Sequence, residues 1–264
     1  MPTQIHQENY VDILSSKADG ILTIEFNRPD KKNAITAAMY QTMADALTEG
    51  EGDKAIRAIL IIGKPEVFTA GNDLEDFLKN PPQGNDSPVS RFMIALSHAS
   101  KPVVAAVSGV AVGIGTTLLM HCDLVYAADN AKFSMPFVPL GLCPEFGSSM
   151  LLPKLAGYQR AAEKLLLGEP FSAEEARDMG LVNKVMPLDQ VVSHARAQAA
   201  KLVALPASSI RATKRLMKAD QTAAIDVRMV EEVKHFGEML KAPEAKEAFS
   251  AFLQKRKPDF TKFA

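Results

Sequence analysis

Two glycine-bearing stretches carry residue types whose spacing fits a particular chemistry. Phe68-Thr69-Ala70-Gly71-Asn72-Asp73-Leu74 follows the apolar run Ala58-Ile59-Leu60-Ile61-Ile62. Gly109-Val110-Ala111-Val112-Gly113-Ile114-Gly115-Thr116-Thr117 follows Val103-Val104-Ala105-Ala106-Val107. Each reads as a buried strand that turns at glycine and enters a helix. Such a turn leaves backbone N–H groups free at a helix N-terminus, where negative charge is favoured. Two of them face to face can hold one oxygen that becomes an anion during reaction. The chemistry implied is enolate formation beside a carbonyl, with neither metal nor organic cofactor.

Two other readings of the second stretch compete. Strand, Gly-x-Gly and helix also begin a dinucleotide-binding turn, but Leu118 stands where the third glycine belongs, and neither Asp123 nor Asp129 sits where a ribose-binding acid is needed. The blander alternative is a glycine turn that permits tight packing. Elsewhere His121-Cys122-Asp123 has the residue types of a catalytic cluster, yet consecutive residues point in different directions and do not converge. Asp123 is expected to be a structural hydrogen-bonding residue. His6, His98, His194 and His235 show no metal-ligand spacing, and no Gly-x-Ser-x-Gly nucleophile turn occurs.

The elements that position these stretches follow from hydrophobic periodicity. Strands are expected at 11–15, 21–26, 57–62, 103–107, 124–127 and 183–186, with helices over 37–47 and 88–98 between them. Alternating strands and helices define an α/β class. After Met186 the pattern is helical throughout: 188–205, 208–219, 223–240 and 243–255, broken at Pro187, Pro206 and Pro243. The chain thus divides into a β/α core over 1–190 and a helical region over 191–264. The stripe Leu216, Met217, Ile225, Met229 and Val233 reads as packing. The stretch Phe77–Ser90, rich in Pro, Gly and Asn, reads as a loop beside the first glycine turn, either a solvated connector or a flap over a bound chain.

Bulk properties exclude several classes. With 264 residues, 47% apolar and 23% charged, the chain supports an ordinary buried core. A net charge of −1 gives no electrostatic case for nucleic acid or an anionic membrane. The two cysteines, Cys122 and Cys143, form neither a disulfide framework nor a zinc pattern. No apolar run approaches the roughly 20 residues that span a bilayer. Met1-Pro2-Thr3-Gln4 lacks secretory-signal character and Lys262-Phe263-Ala264 is not a peroxisomal address, so a cytoplasmic enzyme is expected.

Six separated blocks, taken in order, resemble the enoyl-CoA hydratase/isomerase (crotonase) superfamily from about Tyr10 to the C-terminus. They are Asn27-Arg28-Pro29-Asp30-Lys31-Lys32-Asn33-Ala34, Ala70-Gly71-Asn72-Asp73-Leu74, Lys101–Gly109, Cys122–Ala127, Ala176–Val182 and Ala251–Lys257. The resemblance implies a crotonase-like spiral of ββα repeats followed by a C-terminal helical trimerisation region, assembled as a homotrimer or hexamer. It implies an acyl-CoA substrate, and places the two N–H donors for the thioester oxygen on Asn72 and Ile114. Lys31, Lys32 and Ala34 fall where the family's chain passes CoA, and Phe252 and Lys255 where the C-terminal helix completes that site, either within the chain or across a subunit boundary. Ala70, Gly71, Asp73, Leu74, Gly113 and Phe137 are likewise implied to be substrate-binding.

The chain departs from the hydratases of that superfamily at both catalytic acids. Thr117 and Phe137 stand where those enzymes carry glutamates. A threonine is no general base near neutrality, and phenylalanine has no exchangeable proton. Glu145, in Leu140-Gly141-Leu142-Cys143-Pro144-Glu145-Phe146-Gly147-Ser148-Ser149, resembles the catalytic glutamate of peroxisomal-type Δ3,Δ2-enoyl-CoA isomerases, whose chemistry needs one base. Enclosure by Phe137, Leu140, Leu142 and Phe146 would raise its pKa. The expectation is an isomerase, with a hydratase as the alternative and a non-catalytic acyl-CoA-binding protein as a third reading.

Overall fold

The computed structural model describes residues 11–79, 84 and 86–263. His6, the N-terminal Met1-Pro2-Thr3-Gln4 and part of the Phe77–Ser90 stretch lie outside them. Among the described residues ten strands form two sheets. In chain order they are β1 (Ile13–Ala18), β2 (Ile21–Phe26), β3 (Ala58–Ile62), β4 (Val67–Thr69), β5 (Val103–Val107), β6 (Val110–Val112), β7 (Leu124–Ala128), β8 (Lys132–Ser134), β9 (Phe171–Ser172) and β10 (Lys184–Met186). The first sheet has the order β1-β2-β3-β5-β7-β10, and all of its pairs except β1-β2 are parallel. The second has the order β4-β6-β8-β9, and only β8-β9 is antiparallel.

Consecutive strands are dealt alternately to the two sheets. β3, β5 and β7 enter the first, while β4, β6 and β8 enter the second directly after them. Each pair is followed by helical chain that returns to start the next turn, which is a ββα spiral. The helices are α1 (Ala37–Gly52), α2 (Leu74–Lys79), α3 (Pro88–Ser97), α4 (Ile114–Thr117), α5 (Ser148–Ala156), α6 (Tyr158–Ala162) and α7 (Ala173–Asp178), then α8 (Leu188–Ala204), α9 (Ala207–Lys218), α10 (Thr222–Met239) and α11 (Pro243–Leu253).

The central strands of the first sheet, β2, β3, β5 and β7, are buried on both faces and read as nearly continuous apolar runs, while the edge strand β1 is exposed. The period of two sorts them: Ile59 and Ile61 of β3 and Val103, Ala105 and Val107 of β5 face the inner core. Ala58, Leu60, Ile62, Val104 and Ala106 face outward, where α8 covers them with Val191, Ala195 and Ala199. Those three residues are spaced by one helical turn, and two are alanines, so the helix lies close to the sheet. Each fully buried Ile or Leu here contributes about 1.5–3 kcal/mol of transfer free energy.

The C-terminal helices contact the same chain. Lys214 of α9 is buried, and its ammonium donates to Asp123 Oδ2 at 2.6 Å and Lys101 O at 2.8 Å. Asp123 in turn accepts the Val103 N–H, so it pins α9 to the start of β5. The single packing stripe expected across α9 and α10 does not form. Ile225 and Met229 are buried, but Leu216 and Met217 are 70% and 69% exposed and Val233 is 40% exposed. For Leu216 and Met217 the reason is the break between Lys218 and Thr222, which ends α9 before they can share a face with α10; Val233 lies within α10 itself and is left 40% exposed.

Candidate active site

The first glycine turn is held from beneath by the Asn27–Ala34 segment. Asn33 is fully buried; its side-chain amide donates to Val67 O and Phe68 O, and its Oδ1 accepts the Arg28 N–H. Thr69 Oγ1 donates to Asn33 O at 2.6 Å, and the Ala70 N–H donates to Lys32 O. Arg28 Nη1 spans Ala34 O at 2.9 Å and Asp73 Oδ2 at 2.7 Å. That pair holds the Asp73 carboxyl below its usual range even though burial opposes the shift. Asp73 is therefore a strut for the turn. With the neighbouring amides engaged, the Asn72 N–H has no acceptor among the described residues. The Asn72 side chain is fixed separately, its Oδ1 accepting from the Tyr40 hydroxyl at 2.5 Å.

The second turn leaves β6 at Gly113, whose φ of 55° is a left-handed value that disfavours a side chain. Gly113 N–H donates to Ser134 O, and Gly113 O accepts from the Thr116 and Thr117 N–H groups. The Ile114 N–H, first in α4, has no acceptor among the described residues. α4 is a single turn continued by a 3-10 turn over Leu118–His121. The two glycine turns touch: a Cβ on Gly71 would sit 2.8 Å from Val112 O. The packing reading of the second stretch holds at Gly109 and Gly115, where a Cβ would collide with Glu66 O and Thr69 Cγ2, and not at Gly113, which has open space; it coexists with the two N–H groups left without acceptors among the described residues.

Both turns open onto a cleft of about 500 Å³. Of the residues singled out from sequence, Lys31, Ala34, Ala70, Gly71, Asn72, Asp73, Leu74, Gly113, Ile114, Phe137 and Phe252 line it. Lys32 and Lys255 do not; both have left-handed backbone, with φ 51° and 53°, and exposed side chains. Phe252 lies at the rim, 62% exposed. Aromatic side chains dominate the rest: Phe77 of α2, Phe236 of α10 and Phe249 of α11 join Phe137, with Phe77 and Phe236 packed edge to face. So α10 and α11 wall the cleft of their own chain.

Glu145, the expected base, is not among the residues that line the cleft and is 8% exposed. The Thr117 hydroxyl donates to its Oε1 at 2.5 Å and is the one donor its carboxylate meets among the described residues. Burial pushes the Glu145 pKa up to about 8, against the Thr117 bond, with the charge of Glu232 adding to the rise. Buried Tyr40 is held well above its ordinary phenol value by burial and then by Glu145. Tyr40 therefore bridges the neighbourhood of the carboxylate to the Asn72 turn. The backbone past Glu145 is left-handed twice, at Phe146 (φ 61°) and Gly147 (φ 71°). His121 stacks on the Phe146 ring at 3.9 Å, and its Nε2 donates to Phe146 O at 2.8 Å. Burial pushes His121 down to about 3, so the ring is neutral.

His121, Cys122 and Asp123 diverge: the first meets Phe146, and the third meets Lys214. Burial raises both thiols, Cys122 to about 12 and Cys143 to about 11, so neither is a nucleophile near neutrality. Among the described residues no three His, Cys, Asp or Glu side chains group as metal ligands. Sequence reasoning gave no role to Tyr40 and Glu232, and named Arg28 and Asn33 only as part of a block that carries the resemblance. Tyr40 lies on the apolar face of α1 with Met39 and Met43, where it reads as core. The usable signal was its hydroxyl, which a buried tyrosine must pair.

A two-sheet ββα spiral with a cleft at paired glycine turns defines the class of protein. The chain belongs to the enoyl-CoA hydratase/isomerase family, whose sequence pattern matches residues 16–262. It is 35% identical over 258 residues to the 1,2-epoxyphenylacetyl-CoA isomerase of Escherichia coli (strain K12), covering 94% of this chain and 98% of that protein. It is 38% identical over 216 residues to enoyl-CoA delta isomerase 2 of Rattus norvegicus, covering 79% of this chain and 55% of that one. The structure of Pseudomonas aeruginosa OdaA superimposes with a TM-score of 0.90 at 50% identity, covering 92% of this chain and 98% of OdaA. Relatives are named as isomerases and as hydratases alike, so family membership establishes an acyl-CoA enzyme and not its reaction.

Proposed function

We propose that this protein is a Δ3,Δ2-enoyl-CoA isomerase with Glu145 as its single base. The observation that carries the reading is the carboxylate inventory around the two turns. Thr117 and Phe137 occupy the positions where the hydratases of the superfamily carry glutamates, and Thr117 is a hydrogen-bond donor to Glu145. Of the other nearby carboxylates, Asp73 is engaged by Arg28, Glu232 accepts two backbone N–H bonds, and Glu75 is exposed. One acid is left to move a proton.

In this mechanism the thioester oxygen accepts from the Asn72 and Ile114 N–H groups. Glu145 removes a C2 proton from a 3-enoyl thioester; the C–H electrons move into the C1–C2 bond as the oxygen gains charge. The dienolate then takes the same proton back at C4 from the Glu145 carboxylic acid, leaving the double bond between C2 and C3. Each N–H donor is worth on the order of 3 kcal/mol of transition-state stabilisation. A carboxyl with a pKa near 8 is a stronger base than an ordinary glutamate and still gives the proton back. Lys31 at the rim supplies positive charge suited to the anionic part of CoA.

Turnover of trans-3-hexenoyl-CoA by wild type and Glu145→Gln, beside hydration of crotonyl-CoA, tests the proposal. The expected result is isomerisation in wild type, its loss by at least about a thousandfold in the mutant, and little hydration by either. Hydration without isomerisation would overturn it in favour of a hydratase. Binding of CoA esters with neither activity would favour the non-catalytic reading.

A further inference from the structure

We infer that Glu232, on α10, is a positioning residue for the base: it holds the backbone that follows Glu145 and so makes the docking of a C-terminal helix part of the active site. The inference rests on the reading of Glu145 as the base.

Glu232 is 5% exposed and does not line the cleft. Its two oxygens are both spent on backbone: Oε2 accepts the Gly147 N–H at 2.6 Å and Oε1 accepts the Ser149 N–H at 3.0 Å. These are amides at the start of α5, whose N-cap is Gly147 and has no side chain to cap with. A carboxylate from 85 positions away in sequence does that work. Left-handed Gly147 followed by helical Ser148 turns the Gly147 and Ser149 N–H groups toward a common anion, and Glu232 is the anion present.

The clamp has a second jaw. His121 Nε2 donates to Phe146 O, so the peptide unit between Phe146 and Gly147 is gripped at its carbonyl by His121 and at its N–H by Glu232. On the other flank of the base, Cys143 Sγ approaches Glu232 O at 3.8 Å. The loop from Cys143 to Ser149 is therefore anchored to α10 on both sides of Glu145. One helical turn beyond Glu232 the same helix places Phe236 in the cleft wall against Phe77. One helix thus fixes the base and shapes the pocket that presents the carbon to it. Nothing in this arrangement lets Glu232 reach a substrate atom, so its effect is on position.

The test compares Glu232→Gln, which keeps the volume and one acceptor, with Glu232→Ala. Steady-state kinetics on trans-3-hexenoyl-CoA are read together with amide hydrogen exchange at Gly147 and Ser149. The expected result is a fall in kcat of about tenfold for Gln and more for Ala, with KM within twofold, and faster exchange at both amides. A residue with a structural role alone would lower Tm and leave kcat of the folded protein unchanged. A kcat within twofold of wild type in the folded Gln variant, with Glu145→Gln inactive, overturns the positioning role and leaves the base intact. An active Glu145→Gln enzyme, or a wild type that does not turn the substrate over, removes the base and the inference together.

Discussion

Glu145 is a carboxyl whose burial works against its own charge, and this sets both rate and stability against pH. A base must be ionised to accept a proton, so kcat/KM is expected to rise with pH and level off above about 8, the value to which burial pushes the group. The stability effect has the opposite direction. The folded pKa lies above the unfolded value of 4.5, so between about 4.5 and about 8 the folded chain keeps a proton that the unfolded chain has shed, and stability falls as pH rises. Glu145→Gln removes this loss. Thermal unfolding should show the mutant gaining several degrees on wild type between pH 5 and pH 9; a constant difference would mean that the carboxyl titrates normally. Tyr40 gives a second prediction. Tyr40→Phe deletes the bond to Asn72 Oδ1 while keeping the ring against Phe92. The expected loss in kcat is about fivefold, equivalent to ~1 kcal/mol, with KM little changed. An unchanged kcat would show that the Arg28 and Asn33 contacts alone hold the turn.

Strands of the first sheet were legible in the sequence where they carry an apolar run, as β2, β3, β5 and β7 do. β2 and β5 occupy the expected ranges, and α1, α3, α8 and α11 start at the expected positions 37, 88, 188 and 243. The whole second sheet was not legible. β4, β6, β8 and β9 have two or three residues each, too few for a period to register, and β6 lies inside what reads as a glycine turn. The partners of the candidate site were hidden for a related reason. Glu232 acts across 85 positions, and no local pattern marks a glutamate on a helix as the cap of another helix. At this scale the contact between the two turns makes a prediction. Gly71→Ala adds both left-handed strain, at φ 85°, and a 2.8 Å collision with Val112 O. Gly113→Ala adds strain at φ 55° with open space around the new Cβ. The first should reduce kcat by at least about tenfold more than the second if the spacing of the turns governs the reaction. Equal losses in kinetic assays would assign the effect to strain alone.

The molecule as a whole leaves apolar side chains in water that its own fold does not cover. Leu216 and Met217 of α9 and Val227 and Val230 of α10 are all more than half exposed. Exposed apolar side chains of this size favour association, as the homotrimer or hexamer expected from the family resemblance would need. Mass in solution by analytical ultracentrifugation should be three or six times that of the 28.6 kDa chain, and Leu216→Asp with Val230→Asp should lower it. A monomeric wild type would leave those side chains without an explanation from assembly. The described helices include none long and apolar enough to cross a membrane.

The outer face of the first sheet has a further consequence, for the order in which the chain becomes usable during synthesis. Ala58, Leu60, Ile62, Val104 and Ala106 are made early, but their cover, Val191, Ala195 and Ala199, is made last among the parts of that layer. A nascent chain emerging from a ribosome therefore carries an uncovered greasy surface until residue 204 has cleared the exit tunnel, and at ordinary translation rates of about 5–20 residues per second that interval lasts several seconds. Over that time the half-made protein is a natural client for chaperones, and a message truncated just before α8 would yield a chain fit for degradation and not for catalysis.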